Sequence, residues 1–483
     1  MKTWNDQTNM TMLTDYYELT MSQAYFDRGM KDKIAYFDLF FRKVPDGGGY
    51  AIMAGLEQVI QYLQALRFSD EDLEFLRSTG DFSEPFLDYL KNMTFECDIW
   101  AVPEGTPIFR GEPIVKVRGP IIQAQMIETM LLLTINHQSL IATKTSRIVH
   151  AAEGRPVMEF GARRAQGYDA SVLGARAAYI AGAAGTSCTI CGKQFDIPLS
   201  GTMAHSFVQL YDNEYDAFAA YAKTYPDNTV LLVDTYNVLQ SGIPNAIKVA
   251  KEVLEPMGKR LKGVRIDSGD ITYLSQESRR MLDEAGLEDC KITISDALDE
   301  YKIRDLLVQG ARIDSFGVGE RLITSRSEPV FGGVYKLSGV ERDDGSVIPR
   351  MKVSETIEKI TNPGSKWVYR FLDKASGKAI ADLIALDGEE IDPNEPYELF
   401  DPEATWKRQT VENYELMPLL QPIFRKGELV YENPDIEEMR SYSTRQMATL
   451  WPSVTRLDSP HDYYVDLSQT LWDLKNSILQ KVH

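Results

Sequence analysis

Cysteine is scarce, with four residues in 483, and that excludes a disulfide-stapled secreted scaffold. Long apolar runs are missing too. The richest, near Ile121–Ile135, is broken by Gln123, Gln125 and Glu128, so no membrane-spanning helix is expected. Residues Met1–Met10 are polar and lack the apolar core of a secretory signal, which makes the cytoplasm the expected setting. Positive charge is in deficit: 52 Lys and Arg against 71 Asp and Glu leave a net charge of −19. A general nucleic-acid surface is thereby excluded, and an anionic substrate needs a local cationic pocket. The glycine cluster Gly47-Gly48-Gly49 has no following Lys-Ser/Thr and reads as a turn, not a P-loop. Cys188 and Cys191 form a lone CxxC without a second pair or adjoining His, better read as buried small apolar residues than as a zinc or redox site.

What is there is a globular composition, 43% hydrophobic and 25% charged, long enough for two or three domains. The region from about Arg155 to Phe331 repeats one unit: a short β-branched run, a loop with charged or glycine residues, then an amphipathic stretch. The runs are Pro156–Phe160, Thr229–Asp234, Gly263–Asp267, Lys291–Asp296 and Arg312–Phe316. Segments such as Asn245–Met257 and Tyr301–Gln309 carry helical spacing between them. Strands alternating with helices imply parallel βαβ units. Five in series, with no GxGxxG after the first, favour a (β/α) barrel over a dinucleotide-binding sheet.

Around this region the texture changes. Asn9–Gly29 reads as a helix, Ile34–Phe41 as a strand, and Gly55–Leu66, Asp70–Arg77 and Glu84–Asn92 as helices. Cys97–Val117 suggests antiparallel hairpins and Gln123–Val149 a helix leading into the barrel. Tyr335–Leu386 reads as short strands, Asp435–Ala448 as a helix, and Tyr463–Lys481 as mixed strand and helix. The expected fold is α/β with three parts: an N-terminal α+β domain (1–122), the barrel (123–351), and a C-terminal region (352–483) partly returning to the first.

In such a barrel the C-terminal strand ends converge on the active site. Here they read Glu159–Arg164, Asp234–Asn237, Arg265–Asp270, Ser295–Asp296 and Gly317–Gly319. Any single Asp or Ser among them is more simply a helix cap; five such ends together point to a site. His205 alone of five histidines lies in a glycine-and-hydroxyl setting, Ser200–Phe207. Asp234, ending the next expected strand, can orient its ring and leave the other nitrogen nucleophilic. His137 and His150 read as structural, His461 and His483 as peripheral. Arg265 and Asp267 stand two residues apart on one strand and so share a face. The arginine can grip an anion bidentately; the carboxylate can take ribose hydroxyls or Mg²⁺. Gly317 and Gly319, with Gly310 ending the preceding helix, suit a backbone phosphate seat.

The segments Thr14–Tyr17, Glu159–Gly167, Gly201–Phe207, Gly263–Asp270 and Ser315–Thr324 together resemble the nicotinate phosphoribosyltransferases over nearly the whole chain. The resemblance implies an irregular α/β barrel with an open α/β domain, paired as a homodimer with shared active sites. It implies condensation of nicotinate with 5-phosphoribosyl 1-diphosphate to nicotinate mononucleotide and diphosphate, in NAD salvage. ATP as co-substrate and Mg²⁺ are implied with it, the hydrolysis running through a phosphohistidine in the manner of an ATP-dependent ligase. His205 matches the phosphorylated histidine and Asp234 the acid beside it. Phe160 and Tyr17 match the aromatic pair that sandwiches the pyridine, Tyr17 reaching across the dimer. Arg163, Thr202 and Arg265 match residues around nicotinate and the ribose phosphate groups. Asp267 and Asp270 fall where the ribose diphosphate and its Mg²⁺ lie, and Gly310, Gly317, Gly319 and Thr324 match the 5-phosphate cradle.

Rival readings are a quinolinate- or nicotinamide-using transferase of the same fold, and a non-catalytic sensor of nicotinate. Ser187 bears on the first. Gly185-Thr186-Ser187 stands where the related nicotinamide enzyme resembles Gly-Thr-Asp. A serine donates to a carboxylate; an aspartate repels it and accepts from an amide. Nicotinate should therefore be strongly preferred, and Ser187→Asp should narrow or reverse the preference. Steady-state kinetics with both substrates checks this, and an unchanged ratio contradicts it.

Overall fold

The computed structural model describes residues 9–356 and 359–482. His483 and residues 1–8, on which two of the expectations above fall, lie outside them. The chain divides into two compact units: Met1–Leu140 with Val330–His483, and Ile141–Pro329. No helix among the described residues is long and apolar enough to cross a membrane.

The second unit is built on six short strands: β1 (Val157–Glu159), β2 (Gly185–Thr186), β3 (Val230–Leu232), β4 (Gly263–Ile266), β5 (Lys291–Ile294) and β6 (Ser315–Val318). Their order in space is β2-β1-β6-β5-β4-β3, and every neighbouring pair is parallel. Helices Tyr168–Ile180, Glu214–Thr224, Ile271–Glu284 and Glu300–Val308 make crossovers, as parallel pairing requires. Val264, Ile266, Ile292, Ile294, Phe316 and Val318 are fully buried, the apolar pattern of a covered sheet. Arg265, Thr293 and Ser315 occupy one register line across β4, β5 and β6, so the polar positions of neighbouring strands share a face.

The expected helix over 245–257 is more broken than its spacing suggests. A regular helix covers Ile243–Val249, flanked by π-helical turns at Val238–Gly242 and Ala250–Leu254. Gly242 packs so closely on β3's end that an added Cβ would lie 1.9 Å from the Val233 carbonyl oxygen. The wide turn absorbs that approach.

The first unit carries a seven-stranded antiparallel sheet. In spatial order it runs Val347–Pro349, Gly333–Glu341, Ile34–Phe41, Val115–Pro120, Asp98–Ala101, Gln421–Arg425 and Glu428–Leu429. Strands from beyond residue 330 thus flank those from the N-terminal portion on both sides. A second sheet joins Tyr414–Pro418, Lys366–Asp373, Ala379–Leu386 and Val465–Leu467. The first helix begins at Tyr16 rather than near Asn9. Asp15 is extended there, its N–H donating to Thr129 Oγ1 at 3.1 Å, which ends the helix N-terminally.

A buried ionic group anchors the second unit. Glu300 Oε1 accepts from Lys144 Nζ at 2.9 Å and Arg147 Nε at 3.0 Å, and all three side chains are nearly inaccessible. It ties helix Glu128–Ala151 to the start of Glu300–Val308. Removing one member of such a group strips buried charges of their counterion. Glu300→Ala should therefore destabilise the fold by about 3–5 kcal/mol, read as a lowered denaturant midpoint; a loss under about 1 kcal/mol would match a solvent-exposed pair instead.

Candidate active site

Arg265 lies on β4 and reaches three segments. Its Nη1 donates to Thr202 Oγ1 at 2.9 Å and to the Met203 carbonyl at 3.3 Å. Its Nε donates to Ser295 Oγ, past the end of β5, at 2.7 Å, and Nη2 lies 3.3 Å from Asp267 Oδ1. Ser295 also donates to that Asp267 oxygen. The guanidinium is thus held by planar, multidentate contacts that a lysine could not reproduce.

The same segment that bonds Arg265 carries His205. Its Nδ1 sits 3.1 Å from Thr235 Oγ1. Its Nε2 faces two carboxylates, Asp234 at 3.9 Å and Asp267 at 3.8 Å. Both distances exceed a hydrogen bond, so the direct Asp234–His205 bond expected from the sequence is replaced by a Thr235 contact and a charged surround. Asp234 is itself fixed: its Oδ2 accepts from Ser268 Oγ at 2.7 Å and from the Asp267 N–H at 3.1 Å. Its Oδ1 is buried and has no hydrogen-bond partner among the described residues.

Phe160 follows β1 and lies against Gly317 on β6. A Cβ added at Gly317 would meet two carbons of the Phe160 ring at 2.5 Å. At Gly319 it would meet the Phe160 carbonyl oxygen at 3.1 Å. Glycine is required at 317 by close approach. Ser187 follows β2, its N–H donating to the Glu159 carbonyl at 2.9 Å, which sets it beside the Phe160 turn.

Other expected residues take different places. Arg163 is exposed on the turn Ala162–Arg164, and no described residue pairs with it. Asp270 caps helix Ile271–Glu284 through the Tyr273 N–H. Gly310 adopts φ +80° just past helix Glu300–Val308, a left-handed helix stop. It precedes β6, at the opposite end of the sheet from Gly317 and Gly319, and the structure does not bring it to them. Thr324 closes the short helix Glu320–Ile323, donating to the Glu320 carbonyl. Tyr17 belongs to the first unit, on helix Tyr16–Asp27, and is half exposed. Partial burial, with Glu128, Glu18 and Asp15 nearby, holds its phenol well above the usual tyrosine range. No group of three His, Cys, Asp or Glu able to hold a metal occurs among the described residues. The four cysteines are buried and unpaired.

Thr235 and Ser295 lay within the strand ends Asp234–Asn237 and Ser295–Asp296 but were given no role of their own. Hydroxyls at strand ends are common enough to carry no signal beyond that placement.

Models of three domains match the chain: the nicotinate phosphoribosyltransferase N-terminal domain over residues 12–136, the nicotinate phosphoribosyltransferase family over 156–343, and the C-terminal domain over 365–475. The chain belongs to the nicotinate phosphoribosyltransferase family. It is 43% identical to the nicotinate phosphoribosyltransferase of Bacillus subtilis (strain 168), over 98% of this chain and 96% of that one. To the Homo sapiens nicotinate phosphoribosyltransferase it is 33% identical, over 97% and 96%. The crystal structure of human nicotinic acid phosphoribosyltransferase superposes with a TM-score of 0.84 at 31% identity, covering 97% of this chain and all of that one. That of nicotinate-nucleotide pyrophosphorylase from Pyrococcus furiosus gives 0.71 at 25% identity, over 92% and 97%.

In this family member the contact of Phe160 with Gly317 makes a separable test. Gly317→Ala should destabilise the protein by about 1–3 kcal/mol through overpacking. In a Phe160→Ala background the penalty should shrink by more than about 0.5 kcal/mol. Denaturant unfolding of the four proteins measures both, and strict additivity would contradict the contact.

Proposed function

We propose that the chain joins nicotinate to 5-phosphoribosyl 1-diphosphate, giving nicotinate mononucleotide and diphosphate for NAD salvage, and couples this to ATP hydrolysis through phosphorylation of His205. The observation that carries the reading is the joining of His205, Asp234, Arg265 and Asp267 at neighbouring strand ends. Displacement at the anomeric carbon develops oxocarbenium character and needs no protein nucleophile toward the sugar. It needs the leaving diphosphate neutralised, the ring nitrogen held in line and water excluded. Arg265 supplies fixed positive charge, Phe160, seated against Gly317, a flat face for the pyridine, and the backbone that follows β6 at Gly319 a seat for the 5-phosphate.

Asp234 Oδ1 and Asp267 Oδ2 face His205 Nε2, and the first has no donor among the described residues. Two carboxylate oxygens fit a Mg²⁺ that takes its remaining ligands from substrate phosphates and water. Bound there, the ion would neutralise charge on the departing diphosphate. Asp270, committed as a helix cap, is the weaker candidate.

The homodimer belongs to the same reading: Tyr17, half exposed on its helix, would close the ring slot of a second copy. So does the irregular barrel. Leu199 bridges to Thr186 on the β2 edge, and within six residues the chain meets Arg265 of β4 and Thr235 beyond β3. A sheet curled toward closure shortens that path. Four unpaired cysteines suit a reducing cytoplasm.

Incubation with γ-³²P-ATP tests the coupling. Wild type should take up label that His205→Ala does not. Label on neither would favour a nicotinate-binding protein without phosphoryl chemistry, and equal label on both would place the acceptor elsewhere.

A further inference from the structure

We infer that Glu159 is the positioning residue that sets the width and register of the nicotinate slot; the inference rests on the function proposed above. Glu159 ends β1 and is fully buried. One carboxylate oxygen accepts from Thr186 Oγ1 at 2.6 Å; the other accepts from the Gly161 N–H. Its backbone carbonyl takes the Ser187 N–H at 2.9 Å. Thr186 Oγ1 in turn accepts from the Cys188 N–H at 2.9 Å. One residue therefore stitches together the turn that carries Phe160 and the turn that carries Ser187, the two groups proposed to meet the ring and its carboxylate.

The identity of the side chain follows from the bonding. A carboxylate presents an acceptor on each oxygen, and both donors here are satisfied at once. Glutamine keeps the shape but offers one acceptor and two donors. Its amide nitrogen would face either the Gly161 N–H or the Thr186 hydroxyl, whose oxygen already accepts from Cys188. Facing Gly161, it opens that stitch; facing Thr186, it can donate to the second lone pair of the hydroxyl oxygen, but the hydroxyl proton then loses its acceptor, so either way one buried donor is left unpaired. The site is closed to substitution from the other side as well. A Cβ at Gly161 would lie 2.8 Å from Glu159 Oε1 and 2.5 Å from the Ile323 Cβ. No cation pairs with Glu159 among the described residues, and burial raises its carboxyl above the usual range. A buried acid without a counterion costs stability, so this position gives up stability for geometry, as functional sites do.

Isothermal titration calorimetry on the full-length protein tests the assignment. Glu159→Gln and Thr186→Val should each weaken nicotinate binding about tenfold, or about 1.4 kcal/mol. Thr186→Ser, which keeps the hydroxyl, should bind like wild type. Phosphoribosyl diphosphate affinity should stay within about twofold in all three, and kinetics should show KM for nicotinate rising more than kcat falls. Nicotinate affinity unchanged in both Glu159→Gln and Thr186→Val overturns the inference, as does equal loss for both substrates. If one variant fails to fold, the other decides against Thr186→Ser. Failure of the underlying function is distinguishable: wild type itself would then neither bind nicotinate nor yield nucleotide.

Discussion

A single guanidinium holds the strand ends together. Arg265 bonds the Thr202–Met203 segment, Ser295 and Asp267, which arrive from three places in the chain. A fork of five donors in one plane can satisfy so many acceptors without strain. Because His205 follows Thr202 by three residues, the arginine also fixes where the imidazole stands. Without it the segment from Gly201 to His205 would keep, among the described residues, the Thr235 contact and the Tyr221 hydroxyl on the Thr202 carbonyl as its side-chain hydrogen bonds to neighbouring segments, beside the looser approach of His205 to Asp234 and Asp267.

That arrangement depends on strand direction. Parallel pairing puts every strand's C-terminal end on one edge of the sheet, where Arg265 meets Asp267 and Ser295, and the register that aligns Arg265 with Thr293 and Ser315 sets those polar side chains on one face. Glycine does the complementary work on β6, where Gly317 admits the Phe160 ring and Gly319 the backbone behind it. A cationic centre and an aromatic wall thus stand on the same sheet, one built by hydrogen bonds and the other by the lack of a side chain. The acidic remainder of the chain, at net charge −19, makes that local cation the more necessary for anionic substrates.

Much of this was readable from sequence because it follows periodicity. Apolar runs at regular spacing marked β1, β3, β4, β5 and β6, and the strand-end rule picked out Asp234, Arg265, Asp267, Gly317 and Gly319. β2 is two residues long, too short to carry a pattern. Cap chemistry limited the rest: Asp270 and Gly310 have the residue types of a substrate site and of a helix boundary alike, and only tertiary placement assigns them to boundaries. The bonding roles of the hydroxyl partners Thr235, Ser295 and Thr186 were hidden for a related reason. Their bonds join residues from 27 to 30 positions apart, and no local spacing encodes such pairings. The N-terminal helix started later than its apolar pattern because Thr129, more than a hundred residues on, draws the Asp15 N–H away.

The central claim is that these strand ends make one nucleotide-forming cavity. Its most direct measurement is product formation from nicotinate, phosphoribosyl diphosphate and Mg²⁺, followed chromatographically with and without ATP. The account predicts nicotinate mononucleotide and diphosphate in equal amounts, formed faster and further when ATP is present. Nicotinate left unconverted under both conditions, by a protein verified as folded, would contradict it.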